Sequence, residues 1–144
     1  MNQAEVEFEQ VIPSKEQIAT LFDLLKKRLH KISSDATDSI DHESFVNAHP
    51  YRCWYLIKIR DTYVGSFYVS SENTIGINVF EENTRTVVLP IVKFLRSNYE
   101  PLPSIPSVRS GQFAINVPPT NTVLTEVLEE IGATLAQVTY LIPS

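Results

Sequence analysis

A chain of 144 residues suits one compact domain with a single core. Seventeen acidic against twelve basic side chains leave a formal charge of -5, a field that attracts neither nucleic acid nor an anionic membrane surface. Hydrophobic residues make up 43% and charged residues 20%, as in ordinary soluble globular proteins, and no apolar run approaches the ~20 residues that cross a bilayer.

The first element is read at Val6–Ile12, where apolar and polar residues alternate as in a half-buried strand. Pro13-Ser14 stops it, and Ser14 with Gln17 has the spacing of a capping box. Ile18, Leu21, Phe22, Leu25 and Leu29 then recur at helical spacing, predicting an amphipathic helix over about 15–30. Ser33–Asp38 is polar and reads as a loop. A short helix follows from Ser39 or Asp41 to Ala48, ended by Pro50.

Three strands come next. Cys53–Arg60 and Tyr63–Ser70 flank the turn Asp61-Thr62, and Ser71-Glu72-Asn73 turns into Thr74–Phe80. Cys53 is the only cysteine, so no internal disulfide forms; beside Trp54 in an apolar run it reads as a buried, inert thiol. A helix runs to about Asn98, with its first turn expected near Val87–Pro90 because proline breaks a helix interior. Tyr99–Ser110, with Pro101, Pro103 and Pro106, is a stiff loop. Gln112–Val117 is a strand, Pro118-Pro119 a stop, and Asn121 the N-cap of a helix to Ile131. Gly132 closes that helix, and Ala133–Ile142 is expected to form the last strand. Without repeats or linkers, residues 1–144 read as one mixed α/β domain of order β-α-α-β-β-β-α-β-α-β. The acidic opening MNQAEVEFEQ lacks the apolar core of a signal peptide, which points to the cytoplasm.

That order, together with Asn121-Thr-Val-Leu-Thr-Glu-Val-Leu-Glu-Glu-Ile-Gly-Ala133, resembles the GNAT (Gcn5-related N-acetyltransferase) superfamily. Asn121 and Gly132 stand at the separation that family uses. The resemblance implies a mostly antiparallel central sheet flanked by helices, splayed open between Thr74–Phe80 and Gln112–Val117. Acetyl-coenzyme A, or another acyl-coenzyme A, is the implied cosubstrate in that opening. The backbone of Val79, Phe80 and Glu81 would pair with its pantetheine arm, Asn121 would touch the same arm, and Thr84, Arg85 and Thr86 would meet the pyrophosphate.

The chain also departs from the family pattern. Glu81-Glu-Asn-Thr-Arg-Thr-Val-Val-Leu89 has none of the glycines that let backbone amides approach phosphates. Leu128 stands where many members place a tyrosine that protonates the leaving thiolate, and Ala133 replaces the aromatic residue after the glycine. The implied activity is N-acetylation of a small amine, an amino sugar among the candidates, by direct transfer in a ternary complex. The alternative is a GNAT-shaped binding or interaction domain that has lost catalysis. A third reading is a purely structural oligomer, such as a homodimer through sheet edges.

Acyl transfer needs a group that accepts the amine proton. Glu81 and Glu82 stand at the end of the strand where such a base would sit, although acids before a helix are also ordinary dipole partners. Asn78 is the one strongly polar side chain in Ile75–Phe80, on the face opposite Ile75, Ile77 and Val79. It could orient substrate or water, or satisfy a neighbouring backbone group. Tyr51 and Arg52, where GNAT acceptors enter, and Arg109, able to pair with a carboxylate or phosphate, complete the candidate acceptor site. The bland reading of each is packing or a surface ion pair. His30, His42 and His49 have no ligand spacing, so no metal site is expected.

Overall fold

The computed structural model describes residues 5–32 and 39–144. Five strands form one sheet: β1 (Val6–Gln10), β2 (Cys53–Ile59), β3 (Thr62–Val69), β4 (Thr74–Val79) and β5 (Ala114–Ile115), in that spatial order. The first three pairings are antiparallel and β4–β5 is parallel. Four helices flank the sheet: α1 (Lys15–Ile32), α2 (Ser39–Asn47), α3 (Thr84–Asn98) and α4 (Thr122–Glu130). The polar stretch expected to be a loop at Ser33–Asp38 lies outside the described residues.

Period-two alternation divides the core between the two faces of the sheet. Cys53, Tyr55 and Ile57 of β2, with Phe67, Val69 and Ile75, pack against Val87, Ile91 and Leu95 of α3. On the opposite face Trp54 and Leu56 pack with Val11, with Leu21 and Leu24 of α1 and with Val46 of α2. A smaller cluster of Val88, Leu124 and Val127 joins α3 to α4, and the partly buried Leu128 lies against it. Desolvation in this core pushes the Cys53 thiol above its ordinary range, consistent with an inert side chain.

Local chemistry explains the element ends. Gln17 N–H donates to Ser14 Oγ (3.2 Å), as the capping box requires, but the Gln17 side chain reaches Ile12 N–H (2.6 Å) and the Gln10 carbonyl (2.8 Å) instead of closing on Ser14. The β2–β3 turn is Arg60-Asp61, both with positive φ (50° and 65°), the geometry of a two-residue type I′ hairpin. Asn121 caps α4 by accepting from Leu124 N–H at 3.2 Å. At the other end Gly132 has φ 91°, and Ala133 N–H reaches the Leu128 carbonyl, a Schellman closure.

Three expectations are corrected. Helix α3 begins at Thr84 and carries Pro90 inside it. An interior proline costs about 3 kcal/mol, which burial of Val87, Val88, Ile91 and Leu95 on one side of the helix offsets. The strand expected over Gln112–Val117 pairs only at Ala114 and Ile115. Residues 133–144 form no strand; they run exposed beyond α4.

The proline-rich segment is anchored rather than loose. Asn73, fully buried with φ 67°, donates from Nδ2 to the Leu102 (2.9 Å) and Ser110 (2.8 Å) carbonyls and accepts from Leu102 N–H (2.8 Å). Its own carbonyl accepts from Ala114 N–H at 3.0 Å, the residue that opens β5. Three buried side-chain bonds at about 1 kcal/mol each predict that Asn73→Ala loses about 2–4 kcal/mol in chemical denaturation. Glu72→Ala, at the exposed neighbouring position, should change little.

Candidate functional site

Strand β4 has two different edges. Toward β3 it is paired from Ile75 to Val79; toward β5 it is paired only at Thr74 and Ile75. Beyond that point the strands part, and the β5-facing edge of Gly76–Val79 has no strand partner among the described residues. Backbone there can accept an extended ligand as if it were another strand.

The side chains of β4 also divide. Val79 and Ile77 pack on the α3 side, while Asn78 faces the α1–α2 side and lines a cleft of about 320 Å³. Leu21, Leu24, Phe45, Tyr51, Trp54 and Ser66 form most of its remaining wall. The antiparallel register sets this up: Leu56, Ser66 and Asn78 form one row across the sheet, and Trp54, Tyr68 and Gly76 the next. Tyr68 stacks on Tyr51 with centroids 3.8 Å apart and planes 2° from parallel, and Tyr51 meets Trp54 edge-on.

Two glycines make this wall possible. A Cβ at Gly76 would lie 2.1 Å from the Tyr68 ring, and one at Gly65 would lie 2.2 Å from the Asn78 carbonyl. Gly76 therefore leaves room for the tyrosine stack, and Gly65 lets β3 approach the part of β4 that carries Asn78.

Asp41, His42, Ser66 and Asn78 bring polar groups among the aliphatic and aromatic walls of the cleft. Trp54 Nε1 and His42 Nε2 are buried and have no hydrogen-bond partner among the described residues. An unpaired buried polar group costs about 1–3 kcal/mol, and in a native fold it calls for a functional or structural account. Burial pushes the His42 imidazole below its ordinary 6.5, against a smaller upward pull from a hydrogen bond to the Ile18 backbone. Asp41 is the one formally charged residue of the lining.

Of the expected acceptor residues, Tyr51 lines the cleft and the two arginines do not. Arg52 Nη1 donates to the Glu100 carbonyl at 2.7 Å, and its guanidinium lies 5.4 Å from the Tyr99 ring centroid. Arg109 donates to the Pro103 and Ser71 carbonyls (2.7 and 3.2 Å). Both fasten the proline-rich segment, because a guanidinium with several donors can hold neighbouring carbonyls together.

The turn after β4 is a single 3₁₀ turn, Glu81–Asn83, with Glu81 and Glu82 exposed; Phe80 before it packs beside the α1–α2 cluster. No side chain caps the start of α3; the turn before it does so through backbone, with Asn83 N–H donating to the Phe80 carbonyl and Thr84 N–H to the Glu81 carbonyl. Thr84 is buried and Thr86 half-buried. Arg85 bridges to Glu126 (2.5 Å) and Glu130 (3.1 Å) of α4. The arginine expected at the pyrophosphate thus ties two helices in this state, an exposed network worth about 1 kcal/mol or less per pair.

Trp54, Ser66 and His42 were not among the expected site residues. Counting alternate positions outward from Asn78 through the strand pairings would have found the first two; His42 needed the packing of α2.

These features define a GNAT-like fold: a five-stranded, mostly antiparallel sheet flanked by helices and opening between its fourth and fifth strands. No protein-family model matches the sequence, and no curated protein matches it. Solved structures share the fold at low sequence identity. The integron cassette protein VCH_CASS6 from the mobile metagenome of V. cholerae matches with TM-score 0.66 and 12% identity, over 96% of this chain and 93% of its own. Aminoglycoside N-acetyltransferase AAC(6')-Iy, in complex with the bisubstrate analog CoA-S-monomethyl-acetylneamine, matches with TM-score 0.61 and 14% identity, over 98% and 99% of the two chains. The aminoglycoside acetyltransferase meta-AAC0020, from an uncultured soil metagenomic sample and in complex with sisomicin, matches with TM-score 0.60 and 10% identity, over 96% and 95%.

The depressed His42 has a consequence for stability. With a folded-state value below the unfolded one, the unfolded chain takes up the proton first. Stability is therefore undiminished above about pH 6.5 and falls as pH drops through that value. Burial depresses His49 in the same sense. The unfolding temperature should decline from neutral pH toward about pH 5, and His42→Phe should flatten part of that decline in a pH-dependent thermal melt.

Proposed function

We propose that the chain is an acyl-coenzyme-A-dependent N-acetyltransferase that acts on a small amine by direct transfer in a ternary complex. The observation that carries this reading is the double use of β4. One edge of the strand has no strand partner among the described residues where it leaves β5, and the same strand presents Asn78 to an aromatic-walled cleft on one face. A single strand can thereby hold an extended thioester along its edge and an amine against its face. The likeness to aminoglycoside acetyltransferases that were solved with coenzyme A derivatives and aminoglycosides supports the same assignment.

In this reading the backbone of Val79, Phe80 and Glu81 pairs with the pantetheine arm. The turn Glu81–Asn83 and the first turn of α3, with the Thr86 hydroxyl, receive the pyrophosphate; buried Thr84 positions that turn. Arg85 contributes by exchanging Glu126 and Glu130 for phosphate oxygens. Asn121 caps α4 and borders the arm. Tyr51, Trp54 and Ser66 shape the amine pocket; an amino sugar stacking its apolar face on the tyrosines is one acceptor this wall suits. Asn78 orients the amine. The amine nitrogen attacks the thioester carbonyl, a C–N bond forms and the C–S bond breaks. The nitrogen gives up its proton through water to Glu81 at the end of β4, and the departing thiolate takes a proton from solvent, because Leu128 has none to offer.

A second reading, a GNAT-shaped binding domain without catalysis, is favoured by the exposed Glu81 and Glu82 at the anion end of α3 and by Arg85 already being paired. Ligand-dependent unfolding tests the first reading. Coenzyme A at one hundred times its dissociation constant should stabilise the fold by about 2.7 kcal/mol, and acetyl transfer to an amine and amino-sugar panel should appear as a mass shift. Absence of any shift at millimolar coenzyme A would overturn the proposal; a shift without transfer would support the second reading. Asn78→Ala should reduce kcat/KM about 10- to 100-fold while leaving the coenzyme A shift intact.

A further inference from the structure

Two buried polar atoms, Trp54 Nε1 and His42 Nε2, have no hydrogen-bond partner among the described residues. Both side chains are 7% exposed, and both line the cleft that Ser66 and Asn78 border. One stands on β2 and the other on α2, so the sheet wall and the helical wall each contribute one orphan. A buried donor or acceptor left unmade is costly. Where a cleft lies against it, a ligand can make up the loss.

The two atoms are chemically opposite. An indole Nε1–H only donates. The His42 ring makes its hydrogen bond to the Ile18 backbone in a way that favours the charged form, as donation to a carbonyl does. Since Nε2 is without a partner, Nδ1 is the donating atom. Burial favours the neutral ring, and with its proton on Nδ1 the neutral ring offers Nε2 as an acceptor. An ammonium only donates and a carboxylate only accepts, whereas a hydroxyl does both. The rest of the described lining limits what else a ligand carries. Apart from Ser66 and Asn78 it is largely leucine and aromatic, and its one carboxylate is the exposed Asp41. One carboxylate balances one ammonium; a second, carried between apolar walls, would lose its water without a counter-ion.

Resting on the reading of this cleft as the amine pocket, we propose that His42 determines which amine it accepts. His42 Nε2 receives a hydrogen bond from a hydroxyl on the body of the acceptor, and Trp54 Nε1 donates to a group of the same class. The acceptor is a hydroxylated amine with one ammonium and an otherwise apolar body. Asn78 and Ser66 are left to the amine nitrogen. Because His42 meets the body of the acceptor and not the reacting atoms, it sets affinity and selectivity rather than the chemical step.

Calorimetric titration of the full chain with matched amines tests this, with and without saturating coenzyme A, at about 0.15 M salt to screen distant charge. Trans-4-aminocyclohexanol should bind at least about 10-fold tighter than cyclohexylamine. Trans-1,4-diaminocyclohexane, with an ammonium in place of the hydroxyl, should bind no tighter than cyclohexylamine. Tyramine against phenethylamine repeats the comparison with a longer reach, and the preference in either pair meets the expectation. His42→Phe keeps a ring without the acceptor and should bring the members of that pair within about threefold of each other. His42→Gln returns an acceptor oxygen and should restore part of the preference, whereas a merely structural role would weaken every amine alike. If His42→Phe does not fold, Trp54→Phe, which removes the buried donor, decides in the same way. Preference in neither pair, no binding of any of these amines, a diamine that binds tightest, or a preference that survives the phenylalanine variant overturns the proposal. Since binding is read directly, a chain that shows the preference yet transfers no acetyl group would set aside the acetyltransferase reading and leave the role of His42 standing.

Discussion

Asn73 holds the arrangement together. It occupies a turn between two strands in a left-handed backbone conformation, which asparagine tolerates better than most residues. That conformation brings its amide inward, where it bonds both ends of the proline-rich segment, and leaves its carbonyl to receive the first residue of β5. The placement of β5 depends on this knot. So does the opening beside β4, because a fifth strand anchored at only one end is free to diverge from its neighbour. Arg52 and Arg109 add to the same fastening from outside. Two side chains that invite a reading as anion ligands serve backbone carbonyls instead.

The candidate site follows from sheet geometry more than from any reactive group. Pairing register places Trp54, Ser66, Tyr68 and Asn78 on one face. Gly76 leaves that face room for the Tyr68 ring, and Gly65, on the opposite face beside Val79, lets β3 lie close to the Asn78 carbonyl. Glycine in a strand interior weakens the strand, so these positions give up local stability for the close approach of β3 to β4 and for the Tyr51–Tyr68 stack. Sites where local preference is set aside in this way are where function is expected.

Much of the element order was legible because it rests on short-range chemistry. The first strand, the Ser14–Gln17 helix start, the asparagine cap of α4 and the Gly132 stop all appear within a residue or two of their expected places. The hairpin turn moved by one residue, to Arg60-Asp61, since either dipeptide supplies a residue that accepts positive φ. The start of α3 was misread because a local rule about Pro90 was outweighed by burial of four apolar side chains facing the sheet and α4. Ala133–Ile142 was legible as strand-forming but not as unpaired, since a strand exists only when something lies beside it.

The sequence by itself determined the periodicities: which residues alternate, which recur at helical spacing, where caps and turns fall, and that Asn78 opposes Ile77 and Val79. These depend on bonds that span a few residues. Only the tertiary structure decided which alternating rows share a cleft, that Arg52, Arg85 and Arg109 are already partnered, and that β4 and β5 separate after Ile75. Those outcomes depend on contacts between residues far apart in the chain, such as Asn73 with Leu102 and Arg85 with Glu130, and nothing in a local pattern specifies which distant partner a side chain will meet.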